Sequence, residues 1–303
     1  MEELRIFQKP ELKDPVMIAG WPGMGNVALG AIDYLRRKLN AVKFAEIILD
    51  KQFLLDAVVV EKGVASFTRP PKNSFYYTRN PDLIIFESEV QVPGEQGVHI
   101  LNRVLTAAAD LNVKRIFTGA ALPVPASFND EPEVTVAVNM VSLRTFVEAH
   151  GLCLMDSGHI AGLNGLLLGF AQKRGMEALC LLATMPQYAL TLPNPKGSLA
   201  IIEALGKILR FRVDPEEMKD FIHDIDEKMA MIEDKVRDVF VGDAKESDAV
   251  LVDKKVPQAI IDKIERLFGE AKANKDKAFM LKNELDRWNL FGNYEDRFLD
   301  LFA

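Results

Sequence analysis

Through its first two thirds the chain alternates short apolar runs with stretches of helical periodicity. Residues 16–19, 43–49, 57–60, 83–86, 114–118, 134–138, 152–155 and 178–183 read as strands. Several are apolar nearly throughout, the pattern of strands covered on both faces of a parallel sheet. Between them lie amphipathic segments. Residues 97–111 place Ile100, Leu101, Val104, Leu105 and Ala108 on one stripe, and residues 140–149 and 198–209 behave alike. This alternation predicts a three-layer α/β/α domain over residues 1–212. Glycine- and proline-rich connections, such as Arg69-Pro70-Pro71 and Leu122-Pro123-Val124-Pro125, join its elements.

The pattern changes at Val213, beyond which strand signals stop and charges multiply. Asp214-Pro215-Glu216-Glu217 is a helix start, with Asp as cap, Pro in the first turn and acids near the positive helix end. Met218, Ile222, Ile225, Met229, Ile232, Val236 and Val239 follow at alternating spacings of four and three, a heptad seam. After a break at residues 241–257, a second helix is expected to run from Pro257 to about Trp288. Residues 213–303 thus read as a helical hairpin and tail, whose apolar faces either cover the α/β core or meet another subunit.

Composition narrows the function. The net charge of −7 disfavours nucleic acid and anionic membrane as main partners. No apolar run is long enough to span a bilayer. The start, Met1-Glu2-Glu3-Leu4-Arg5, lacks the basic and apolar regions of a signal peptide. Cys153 and Cys180, each among apolar neighbours, read as two buried thiols, and the cytoplasm is the expected compartment.

Two glycine clusters are the candidates for chemistry. Gly20-Trp21-Pro22-Gly23-Met24-Gly25-Asn26 lies between a strand and a helix, the layout of a dinucleotide-binding turn. Gly23, Gly25 and Asn26 are therefore candidate cofactor-binding residues. Trp21 and Pro22 interrupt the fingerprint, and Pro22 removes an amide that an anion would use. The other reading is a tight turn that lets helix and strand pack closely. The second cluster, Gly158 to Gly169, has neither the Gly-Lys-Ser/Thr of a phosphate loop nor a Gly-x-Ser-x-Gly elbow. Asn164 is placed to cap the helix that follows. His159 lacks a sequence-adjacent partner, Ser127 has no base in view, and His99, His150, His159 and His223 have no metal-helix spacing. No catalytic residue, cofactor or metal site is assigned.

Together the clusters carry a resemblance. Gly20-Trp21-Pro22-Gly23-Met24-Gly25-Asn26, Gly162-Leu163-Asn164-Gly165-Leu166-Leu167, Leu181-Leu182-Ala183-Thr184 and Pro193-Asn194-Pro195-Lys196 resemble the PAC2 family of proteasome assembly chaperone 2-like proteins. Phe86-Glu87-Ser88-Glu89-Val90-Gln91 is similar to another family segment. Asn194 stands where the family more usually has Asp. The resemblance spans about residues 10–212 and marks Gly20, Pro22, Gly23, Gly25, Gly162, Asn164 and Gly165 as structural motif positions.

The resemblance implies an α/β/α fold like that of purine nucleoside phosphorylases. It implies cytoplasmic homo-oligomers that act as assembly or chaperone-like binding proteins, with proteasome α-subunits as partners. The chain ends Leu301-Phe302-Ala303. This resembles the hydrophobic-Tyr-any ending of proteasome activators, with Phe for Tyr, so these three residues are the expected partner-binding tail. The alternative is an enzyme of phosphorylase- or hydrolase-like fold that takes a nucleotide or small metabolite at the sheet's C-terminal edge.

Overall fold

The computed structural model describes residues 3–49, 58–67, 69–242 and 258–273, with isolated positions between 277 and 301. Residues 50–57, the break at 243–257, most of the stretch from 274 to Trp288, and Phe302 and Ala303 lie outside the described residues. Contacts divide the chain into two units, Met1–Glu233 and Asp234–Ala303.

The first unit is built on a nine-stranded sheet. In chain order its strands are β1 (Glu3–Ile6), β2 (Val16–Gly20), β3 (Val42–Ile48), β6 (Asn73–Arg79), β7 (Asp82–Ser88), β8 (Arg115–Val124), β9 (Val134–Val138), β10 (Cys153–Leu154) and β11 (Glu177–Pro186). Their spatial order is β1-β3-β6-β7-β2-β8-β11-β9-β10. A separate hairpin, β4 (Val58–Glu61) and β5 (Val64–Phe67), is a two-stranded sheet of its own.

Apolar runs predict the middle of this sheet well. β7, β2, β8 and β11 are mutually parallel, and their central residues are buried on both faces. An all-parallel sheet does not result. β1, β3, β6 and β7 pair antiparallel in succession, and β9 runs antiparallel to β11. β1, β5 and β6 are strands beyond those expected. β6 opens with the polar pair Asn73 and Ser74, both buried, which breaks the apolar pattern.

Helices cover both faces. α2 (Gly94–Asp110) and α4 (Gly162–Lys173) lie on one side, with Ile100, Leu101, Val104 and Leu105 packed against Met17, Ala19, Phe86 and Ile116. α1 (Val27–Lys38), α3 (Leu143–Ala149) and α5 (Pro195–Leu209) cover the other, where Ile32, Leu35, Ile201 and Leu205 meet Ile18, Ile85, Phe117 and Leu181. Adjacent residues of β2 thus feed opposite layers, as period-two alternation requires. Each such side chain contributes about 1.5–3 kcal/mol as an upper figure.

α6 (Glu216–Gly242) begins as its sequence predicts, the Asp214 carboxylate accepting from the Glu216 amide at 3.1 Å. The start of its apolar seam covers the α/β core: Met218 is buried there and Ile222 packs beside it. The Tyr34 hydroxyl donates to the Asp214 carbonyl at 2.6 Å, tying α1 to this start. The strand signals stop at 212, whereas the compact units part at Glu233.

In the second unit α7 (Gln258–Ala273) sets Ile264, Leu267, Phe268 and Ala271 in an apolar cluster with Ala278, Leu281, Leu285, Phe298 and Leu301. Arg297 pairs with Glu265 at 2.6 Å and lies over the Phe268 ring. Cys180 is buried at the centre of β11, and burial pushes its thiol up to about 12. Cys153 corrects the expectation of two buried thiols. It is exposed, because β10 is a two-residue strand at the sheet edge.

Candidate functional site

Parallel strands gather their C-terminal ends at one edge, and the loops leaving that edge are where α/β folds place ligands. Here the edge brings together three of the motif segments: the turn after β2, the start of α4, and the loop from β11 into α5.

Asn164 is the hinge of the arrangement. It does not cap α4. It is the helix's third residue, and Ala161 precedes the first turn in extended conformation. Its side chain instead reaches back 143 residues in sequence. The Trp21 amide donates to Asn164 Oδ1 at 3.0 Å, and Asn164 Nδ2 donates to the Trp21 carbonyl at 3.1 Å. A planar amide offers a donor and an acceptor on separate atoms, so it can meet a residue's N–H and C=O at once, whereas a carboxylate has no donor to offer. The Asn164 carbonyl accepts from the Thr118 hydroxyl at 3.0 Å, fixing α4 to β8. The capping role falls to Gln91, whose Oε1 accepts from the Leu163 amide at 2.8 Å.

Glycines make these approaches possible. Gly162 has φ +76, and a Cβ there would meet the Gln91 side chain. A Cβ at Gly165 would fall on the Ile160 carbonyl. Gly25 has φ +60, and a Cβ would lie 3.0 Å from that of Asn194.

Four of the turn's amides, those of Trp21, Gly25, Asn26 and Val27, are engaged within the protein. Gly25 donates to the Leu190 carbonyl at 3.0 Å and Asn26 to Gly23 at 2.9 Å. The Val27 amide goes to Met24. In return the Gly25 carbonyl accepts from the Asn194 amide at 2.8 Å. A phosphate at Gly25 and Asn26 would compete for these same donors. Asn194 also caps α5, accepting from the Gly197 amide at 2.7 Å, with Pro195 in the first turn. The Ser198 hydroxyl donates to the Val27 carbonyl at 2.9 Å, locking α5 to α1 beside Gly30. Pro22 lies in the same turn, next to Trp21, which is fully buried with its ring 5.1 Å from Phe86.

Charges around the edge are paired. Arg36 meets Glu87 at 2.5 Å and also Asp33; Arg37 bridges Asp33 and Glu217, and Lys38 meets Glu217 at 3.1 Å. Burial raises the Glu87 carboxyl above its ordinary value, while the Arg36 guanidinium opposes the rise. The Lys196 ammonium donates to the Phe128 carbonyl at 2.7 Å and meets Asp226 at 2.8 Å. Between α1, α5 and α6 a cavity of about 270 Å³ touches Gly25, Asn26, Tyr34 and Phe221. A smaller one of about 40 Å³ lies between Ser127, Pro186 and Met229.

The other candidates stay apart. His159 is exposed. His99, His150 and His223 hold local partners on their own helices or turns: Glu95 at 3.5 Å, the Phe146 carbonyl at 2.8 Å and Glu227 at 3.4 Å. Ser127 takes part in a turn, its amide on Asp130 and its hydroxyl accepting from Asn129. Among the described residues no three His, Cys, Asp or Glu side chains are grouped to hold a metal. No described helix is long and apolar enough to cross a membrane. Leu301 is buried in the cluster of the second unit, next in the expected tail to Phe302 and Ala303, which lie outside the described residues. Sequence reasoning had no role for Arg36, Gln91 or Ser198. Gln91 stood in a quoted family segment, whereas the partners of Arg36 and Ser198 are distant in sequence.

The fold is similar to that of Pyrococcus furiosus PbaB, an archaeal proteasome activator, with 27% identity and a TM-score of 0.66. The match covers 77% of this chain and 98% of that one. Pyrococcus furiosus PbaA, an archaeal homolog of proteasome-assembly chaperone, shares the fold with a TM-score of 0.61 at 21% identity, covering 79% of this chain and 99% of that one. An uncharacterized protein of Methanocaldococcus jannaschii is 24% identical over 211 residues, 69% of this chain and 79% of the relative. Residues 17–233 match the model of the PAC2 family, and the chain belongs to that family.

Proposed function

We propose that this chain is a non-enzymatic binding protein of the proteasome, working as a cytoplasmic homo-oligomer in assembly or activation. The observation that carries this reading is the likeness to PbaB, a proteasome activator, at 27% identity along 98% of its length. The edge geometry supports it. The Trp21 backbone, the Asn164 side chain and the Gly25 and Asn194 backbone groups hydrogen-bond within the protein and hold the motif segments together. α-subunits of the proteasome are the partner, and Leu301, Phe302 and Ala303 are the docking segment. Leu301 anchors that segment in its own unit, leaving Phe302 and Ala303 as the inserting residues.

The test mixes the full chain with 20S proteasome from the same organism and reads co-elution and peptide hydrolysis. The intact chain should co-elute, and removal of residues 301–303 should weaken co-elution at least about tenfold. Absence of co-elution by the intact chain overturns the reading. Thermal shift with nucleotides and nucleosides addresses the enzyme alternative. A saturable shift that Gly25→Val abolishes would move the function to the cavity beside Gly25.

A further inference from the structure

On α5's outer side, away from the motif segments, a groove of about 550 Å³ has an apolar floor of Leu199, Ile202 and Phe211. Lys207, Arg210 and Arg212 stand on its rim, all exposed, with Glu203 as the one acid. Among the described residues none of the three cations makes an ion pair, in contrast to Arg36, Arg37, Lys38, Arg115 and Lys196. These three cations converge on one groove in a chain of net charge −7.

The backbone sets this up. α5 ends with Arg210 in the left-handed region, φ 57 and ψ 41, where glycine is the usual residue. The amides of Arg210 and Phe211 both turn back to the Gly206 carbonyl. A Cβ at Gly206 would lie 2.9 Å from the Phe211 carbonyl, so this glycine lets the chain fold over the helix end. Phe211 therefore drops into the floor while Arg210 and Arg212 flank it. The negative helix end accounts for a cation at Lys207. It accounts neither for an arginine held in a left-handed conformation nor for Arg212 beyond the helix.

We infer that this groove docks a short acidic peptide segment of a partner protein, with an apolar side chain on the floor and carboxylates on Lys207, Arg210 and Arg212. The groove's size is that of a site for a few side chains. Ile202 and Phe211 are buried in the core beneath the groove, but Leu199, Val213 and Pro215 in its lining are half-buried, and an apolar side chain would cover them where a polyanion would not. Charge complementarity chooses the acidic segment over a neutral one. The inference does not depend on the proteasome reading, because it concerns residues outside the tail.

Fluorescence anisotropy with labelled Glu-Asp-Leu-Phe-Asp-Glu on the full chain tests it. Saturable binding is expected, falling with added salt. Arg210→Gly should weaken it by about twofold to fivefold, the range of one exposed pair, with an unchanged or raised thermal midpoint because the left-handed position is relieved. Lys207→Ser, Arg210→Gly and Arg212→Ser together should weaken it at least about tenfold. Peptides with Lys for the acids, or Ser-Ser for Leu-Phe, should bind at least about tenfold less well. No saturable binding overturns the inference, as does equal binding by the triple variant. Equal binding of the Ser-Ser peptide, or tighter binding of heparin, would also overturn it, marking the rim as a site for any polyanion.

Discussion

The turn at Gly20–Asn26 and the β4–β5 hairpin follow strands that point the same way in one sheet, yet they are built on opposite terms. In the turn, Trp21 is fully buried, and the amides of Trp21, Gly25, Asn26 and Val27 go to residues of the protein itself. In the hairpin, Val58, Val59, Val60 and Val64 are 42–69% exposed, and the strands pair only with each other. Lys62 and Gly63, at φ 49 and 80, close it with a tight turn that suits the strand twist. The difference separates two uses of sequence. Motif residues that identify the family bond to one another's backbone and hold three loops together. Apolar surface that a partner could cover lies in a segment with no motif.

The largest effect should come from cutting the turn's internal bonding. Asn164→Ala leaves the Trp21 amide and carbonyl buried without partners, at a cost of about 2–4 kcal/mol. Urea unfolding should show a lower midpoint with an unchanged slope. A loss under about 1 kcal/mol would mean the motif is not structural, and the contrast with the hairpin would fail.

Arg36→Met should cost less, about 1–2 kcal/mol near pH 8, since the Arg36–Glu87 pair is only partly buried. The Glu87 carboxyl already sits above its ordinary 4.5 because of burial, and losing Arg36 raises it further. A carboxyl raised on folding favours the folded state below its unfolded value, and that contribution is lost as pH rises through the folded value. The destabilisation measured near pH 8 should therefore exceed that measured near pH 4. Equal losses at both would show that Arg36 acts through packing over the Tyr76 ring alone.

The smallest effect belongs to the hairpin. Val58→Thr with Val60→Thr should change stability by no more than about 0.5 kcal/mol, as for exposed positions generally. A loss above about 1 kcal/mol by the same urea titration would show these valines to be packed.

The alternating apolar runs made the parallel centre and both helical layers legible, because strands buried on two faces must be apolar throughout. The antiparallel flank was less legible. β6 reads Asn73-Ser74-Phe75-Tyr76-Tyr77-Thr78-Arg79, and its buried polar start hides a strand that has partners on both sides. Cys153 kept apolar neighbours in sequence but stands on an edge strand too short to cover it. The motif segments could be seen singly. Their convergence could not, because a side chain such as Asn164 has an obvious local role as a cap and a distant actual one. Local rules rank the near partner first, and tertiary packing here chose the far one.

The tether between Trp21 and Asn164 also orders events in time. Its halves are 143 residues apart, so the chain closes a very long loop before the turn's bonds can form. Such contacts form late and slow the search for the native state. During synthesis β2 and its turn leave the ribosome well before α4 exists, with an indole and its peptide group exposed to water. A variant keeping Trp21 as its only tryptophan should therefore bury that fluorophore in the slowest phase of refolding, after the helices have formed.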